Sequence, residues 1–190
     1  MKNLANYFFE VGMLKRTPRT GFQFLGSGAE SVAEHSFRTA IIGHALARLD
    51  GTVDAGRVVQ LCLFHDVPEA RTGDLNYVNK KYVKVDDERA VEDLARTLPF
   101  GTEYRETIVE FESRESAEAC LAHDADQLEM ILALKEHKDL GNRYADEWYP
   151  FAVRRLKTEI ARQLAESIWT TDSSLWWFDD DSEWWVKGRR

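Results

Sequence analysis

Residues 58–74 read VVQLCLFHDVPEARTGD. Apart from Gln60, the first seven residues are apolar, and such a run belongs inside a folded core. His65 and Asp66 follow side by side, then Glu69 and Asp74. An unpaired buried carboxylate is costly, so these groups call for partners or a metal ion. Pro68 lacks an amide donor and clashes with the preceding turn. The helix that carries the apolar run must therefore kink or end there, with His65 and Asp66 at its last turn. On an uninterrupted helix Cys62, His65, Asp66 and Glu69 share one face; Pro68 loosens the placement of Glu69. A lone His-Asp doublet arises often by chance, so its meaning depends on the rest of the chain.

Almost all of that chain reads helical. Leu4, Tyr7, Phe8, Val11 and Leu14 form one apolar stripe over residues 2–14. KRTPRTGFQFLGSGAE is a loop by its Gly, Pro, Ser and Thr content. Ser31 and Glu34 spell a capping box that starts a helix running to about Asp50. The next helix opens near Asp54, and Asp86–Leu98 is a charged amphipathic one closed by Pro99 and Gly101. A short helix is expected over 102–111. A long one is expected from Ser113 to Leu140, apolar on several sides and so central, with Gly141 as its C-terminal stop. Tyr144 to Trp169 reads as one last helix. The end, LWWFDDDSEWWVKGRR, places two aromatic runs around an acidic turn and suits a β-hairpin or a tryptophan-faced helix. The expectation is an all-α fold, with one domain over 1–170 and a Trp-rich appendage over 171–190.

The 190 residues carry a net charge of −8 and a pI near 5.2. That acidity argues against binding a nucleic-acid backbone, which needs basic density. Cys62 and Cys120, in apolar helical settings and outside any CxxC pair, read as buried, reduced thiols. The N-terminus lacks the apolar core and cleavage site of a signal peptide, and no run is long enough to cross a membrane. The cytoplasm is the expected location.

A metal site needs more ligands than His65 and Asp66. His35 follows the capping box closely and offers a second imidazole from a second helix. Imidazole with carboxylate suits a first-row transition ion, and Mn²⁺, Co²⁺, Fe²⁺, Ni²⁺ and Zn²⁺ all qualify. The segment AHDADQLEM offers His123, Asp124 and Asp126. Helical spacing does not choose between the two aspartates. His44 reads as packed or surface-bound, His137 as a partner of helix-end carbonyls, and Asp179, Asp180 and Asp181 as a solvated turn. Trp176, Trp177, Trp184 and Trp185 are too many to leave in water.

The order of LKRTPRTGF, ESVAEHSFR, FHDVPEARTGD and ESAEACLAHDADQLEM resembles the HD-domain metal-dependent phosphohydrolases, and most closely the HD-domain 5′-deoxynucleotidase family. That resemblance implies an HD-domain helical bundle and a metal-dependent phosphomonoesterase acting on deoxyribonucleoside 5′-monophosphates. It implies His35, His65, Asp66 and Asp126 as metal ligands, Asp126 being preferred by the Gln127-Leu128-Glu129 that follows. It implies Glu69 as the catalytic glutamate and Asp74 as a catalytic residue that also meets the deoxyribose. Arg19 matches a substrate-binding arginine; Arg16 and Arg71 are further cations for phosphate. In some members Glu69, Asp74 and the carbonyl of Leu75 would hold a second, harder ion such as Mg²⁺. A homodimer is the implied assembly, with the tryptophan tail as a packing or dimer contact. The alternatives are an HD phosphohydrolase of another nucleotide (triphosphate, cyclic or stringent-response), and a metal-bound nucleotide sensor without turnover.

Overall fold

The computed structural model describes residues 1–178 and 184–188. In chain order the helices are α1 (Lys2–Val11), α2 (Phe22–Leu25), α3 (Val32–Asp50), α4 (Ala55–Phe64), α5 (Glu69–Thr72), α6 (Asp87–Ala95), α7 (Gly101–Ser113), α8 (Ala117–Asp139), α9 (Tyr144–Val153), α10 (Glu159–Thr170) and α11 (Trp184–Lys187). Short 3₁₀ turns cover Gly12–Lys15 and Asn79–Lys81. Among the described residues there is no strand, only an isolated antiparallel bridge from Pro18 to Ser31. The all-α expectation holds. Among them, no helix is long and apolar enough to cross a membrane.

The long helix α8 is central because it is buried on several sides. Leu121, Ala122, Ala125, Leu128, Ile131 and Leu134 are all shielded from solvent, and α3, α4, α7, α9 and α10 pack around it. Small residues let α3, α4 and α8 close in. A Cβ on Gly43 of α3 would lie 2.6 Å from Cys62 Sγ of α4 and 3.6 Å from Ala125 Cβ of α8. Gly43 is therefore required by proximity, not by backbone angle. Its effect reaches the site: His35 stands about two turns back along α3, and His65 lies just past the end of α4. A second apolar cluster joins Tyr7, Leu14, Val32, Val67, Leu94, Tyr104 and Ile108. Cys62 belongs to the first cluster and Val67 to the second, so His65 and Asp66 occupy the seam between them.

The capping box forms as expected: Ser31 Oγ accepts from the Glu34 amide and the Glu34 carboxylate accepts from the Ser31 amide. Gly141 follows α8 with φ +90°. Several boundaries differ. α8 starts at Ala117 with Ser116 as its cap, because Arg114 adopts φ +56° and separates it from α7. The helix expected over 144–169 is two helices. Its break at Leu156–Thr158 is held by Asp124, whose carboxylate accepts from the amides of Lys157 (2.7 Å) and Thr158 (2.8 Å) and from Thr158 Oγ1 (2.6 Å). Thr158 then caps α10 by accepting from the Ala161 amide. Cys62 is buried, but Cys120 is only half-buried. His137 does not reach the helix-end carbonyls; its Nδ1 lies 3.2 Å from Ser27 Oγ and its ring meets Phe22 edge-on. His44 is at the surface. The acidic turn at Asp179, Asp180 and Asp181, and the Trp185 side chain, lie outside the described residues.

Asp124 is fully buried, and without it these amides lose their acceptor. Asp124→Ala should lower unfolding free energy by roughly 2–4 kcal/mol, read by urea denaturation. A loss below about 0.5 kcal/mol, the range of ordinary surface substitutions, would contradict this role.

Candidate metal centre

Three helices deliver the candidate ligands. His35 projects from the first turns of α3. α4 ends at Phe64, and the chain continues through i→i+3 turns, with the Val67 amide bonded to the Phe64 carbonyl and the Glu69 amide to the Asp66 carbonyl. Pro68 stands at the start of α5, where a missing amide costs nothing. His65 and Asp66 thus face α3 from the end of α4, and Asp126 faces both from the middle of α8.

Ligand atoms of His35, His65 and Asp126 all lie within 4.8 Å of one another. His35 Nε2 is 3.2 Å from Asp126 Oδ1 and 3.5 Å from Asp66 Oδ2, and His65 Nε2 is 3.2 Å from Asp66 Oδ2. Both Nε2 atoms are buried and neither has a hydrogen-bond partner. Their Nδ1 atoms are engaged. His65 Nδ1 lies 2.8 Å from the Cys62 carbonyl, an acceptor only, so Nδ1 donates and Nε2 keeps its lone pair. His35 Nδ1 lies 2.7 Å from Glu129 Oε2 and donates to it in the same way. This tautomer, set by outer partners, is the one imidazole ligands adopt. Two imidazoles and two carboxylates then fit a divalent first-row ion.

Electrostatics point the same way. Burial disfavours a charged His35, yet the carboxylates of Asp126 and Glu129 push its pKa up to about 10. For Asp126, burial is overcome by His35, His65 and Arg19, which hold its carboxyl far below the usual range. The pocket demands positive charge where the four side chains meet. Glu69 behaves oppositely: burial, then Asp66 and Asp74, push it up to about 9. Its Oε2 is also buried without a partner.

Above this floor lies a cavity of about 660 Å³, which Arg19, Asp66, Glu69, Asp74 and Asp126 all line. The Pro18–Ser31 bridge and the bond from the Arg19 amide to the Glu30 carbonyl fasten the loop to the start of α3. Arg19 then reaches to 3.4 Å from Asp66 Oδ2. Gly73, at φ +73°, turns the chain toward Asp74. Asp74 Oδ2 accepts from the Thr20 amide at 2.8 Å, and its carbonyl accepts from Thr20 Oγ1 at 2.9 Å.

Other expected residues lie elsewhere. Asp124 points at α10, so of the two aspartates only Asp126 reaches the imidazoles. Arg71 pairs with Glu10 and lies 3.8 Å from Asp93, away from the cavity. Leu75 lines a neighbouring cleft, which shares His65, Asp66 and Glu69 with the site but not Asp74. Residues unremarked as site residues also matter. Glu129 is held by Arg38, whose Nε and Nη2 donate to Oε1 at 2.9 and 2.6 Å. Gln127 donates to Asp126 Oδ2 at 2.7 Å. The one-turn spacings His35–Arg38 and Asp126–Glu129 are the local signal for this network. Glu30, His35 and Glu129 form a second cluster. There, however, His35 Nδ1 and Glu129 already satisfy each other, so the cluster reads as support for the first.

The sequence pattern of the HD domain family matches residues 11–169. The chain is similar to the 5′-deoxynucleotidase HDDC2 of Bos taurus, 36% identical over 148 residues, which cover 75% of this chain and 71% of that one. A conserved hypothetical protein from Pyrococcus furiosus superposes with a TM-score of 0.72 at 32% identity, over 86% of this chain and 96% of the other. A predicted metal-dependent phosphohydrolase from Magnetospirillum magnetotacticum gives a TM-score of 0.70 at 25% identity, over 88% and 89%.

His65→Ala and Asp126→Ala proteins, purified without chelator, should each carry under a tenth of the wild-type divalent metal by elemental analysis. Equal metal in variants and wild type would refute the site.

Proposed function

The chain belongs to the HD domain family, and on that premise we propose that it is a metal-dependent 5′-deoxynucleotidase releasing phosphate from deoxyribonucleoside 5′-monophosphates. The observation that carries this reading is the pair of buried, unpartnered Nε2 atoms. They face Asp66 and Asp126 at the floor of a cavity that also holds Arg19, Glu69 and Asp74. The substrate class rests on the relatives named 5′-deoxynucleotidase.

His35, His65, Asp66 and Asp126 would hold a divalent ion of the Mn²⁺, Co²⁺, Fe²⁺, Ni²⁺ or Zn²⁺ class, which supplies Lewis-acid charge for phosphate oxygens and lowers the pKa of water. The remaining work falls to the chain. Arg19 offers a planar fork of donors for the phosphate, pre-positioned by its loop. Glu69, half-buried beside Asp66 and Asp74, would orient the attacking water or carry a proton to the leaving 5′ oxygen. Asp74 spends one oxygen on Thr20; the other is available to accept from the sugar 3′-hydroxyl. Glu69, Asp74 and the carbonyl of Leu75 would be the groups for a second, harder ion such as Mg²⁺. The same reading includes a cytoplasmic homodimer, with residues 171–190 as the appendage that joins the subunits. Trp176 is 86% and Leu175 67% exposed in the single chain, and such apolar surface favours a partner.

A matrix of divalent metals against ribo- and deoxyribonucleoside monophosphates tests the activity; phosphate release confined to ribonucleotides, or absent throughout, contradicts it. Glu69→Gln should cut kcat about a hundredfold with metal content unchanged, and full activity would remove Glu69 from the mechanism. Truncation after Thr170 should turn a dimer into a monomer on size-exclusion chromatography, and an intact dimer would rule out the tail as its main contact.

A further inference from the structure

The cavity does not end at Arg19, Glu69 and Asp74. It continues along α8, where Met130 lies about one turn beyond Asp126 and Ala133 and Leu134 about two. Five aromatic side chains also line it, Phe22 and Phe24 from α2, Tyr77, and Trp148 and Phe151 from α9; Phe22 meets His137 edge-on and Lys81 lies over the Tyr77 ring. Its walls combine charged groups such as Arg19, Glu69 and Asp74 with the apolar side chains of Met130, Leu134 and Phe151. Phe24 is 44% and Phe151 60% exposed. Among the described residues no ring pair involves Phe24, Trp148 or Phe151. Tyr149, by contrast, stacks on Trp169 at 3.9 Å. Of the four aromatic residues on α9, Tyr149 is stacked internally, Tyr144 lies outside the cavity beside Arg143, and Trp148 and Phe151 line the cavity. Arg154 lies over one side of the Phe151 ring, 4.6 Å from its centroid. Aromatic rings lining a cavity whose floor would hold a divalent ion beside Arg19 suit a planar apolar group joined to a phosphate.

Resting on the deoxynucleotidase reading, we infer that Phe24, Trp148 and Phe151 form the nucleobase subsite, binding the base by stacking. Stacking tolerates base identity, since every base presents a π-face. Arg155 lines the same end. Its Nη1 donates to Gln127 Oε1 at 3.4 Å, and its other N–H groups are further donors for a base edge. Because the rings carry no titratable or metal-binding group, they act on substrate binding and not on the chemical step.

The test compares kcat/KM of the full-length, metal-loaded protein on dAMP and dTMP with that on deoxyribose 5-phosphate. The latter has the same phosphate and sugar and no base. Wild type should favour the nucleotides at least tenfold. Phe24→Ala and Phe151→Ala should each cut that ratio about tenfold, mainly through KM, and Phe151→Tyr should restore it. Both rings are exposed enough for removal without loss of the fold, unlike half-buried Trp148. Phe37→Ala, 67% exposed on α3 and outside the cavity, controls for surface aromatics in general and should leave the ratio alone. A wild type that treats deoxyribose 5-phosphate and the nucleotides equally, or a ratio unmoved in both alanine variants, overturns the subsite while leaving the deoxynucleotidase reading standing. Phosphate release from none of the three overturns that reading and the subsite with it.

Discussion

Two imidazole nitrogens sealed from water, opposite two carboxylates and with no donor between them, make a pocket that is stable only with positive charge inside it. Removing such groups from water is costly unless they are compensated. Here the compensation is shared: Arg19 reaches one carboxylate, and the ligand set matches a divalent ion. The helical frame exists around this demand. α3, α4 and α8 approach closely enough at Gly43, Cys62 and Ala125 for three distant segments to aim at one point.

The surrounding groups keep the rings from turning. Glu129 holds His35 by Nδ1 and is itself held by both arms of Arg38, while Gln127 holds the outer oxygen of Asp126. Each contact fixes a rotamer or a tautomer before any ligand arrives. Preorganisation of this kind is what separates a metal site from an accidental gathering of acidic residues. It also explains why Glu129 is almost wholly buried yet tolerable as a charge.

How much of this was legible in the sequence depended on the range of the interaction. His65 and Asp66 stood out because an apolar run led into them and Pro68 stopped it. The start of α3, and with it the position of His35, could be read from Ser31 and Glu34, three residues apart. Asp124 and Asp126 could not be separated by spacing, since α8 is buried on several sides and a carboxylate on either face needs a partner. What separates them is the pair of amides at Lys157 and Thr158, more than thirty residues away. The same distant contact splits α9 from α10, which periodicity alone merged into one helix. Arg38 with Glu129 is likewise a contact across 91 residues, and the aromatic walls at Phe24 and Phe151 share a cavity only once α2 and α9 are folded onto α8.

The bridge between Pro18 and Ser31 has a mechanical meaning. Ser31 also caps the helix that carries His35, so the arm bearing Arg19 and the arm bearing an imidazole are riveted to a single joint. Whatever loosens that joint displaces the guanidinium and the imidazole together, so the two are tuned as one unit.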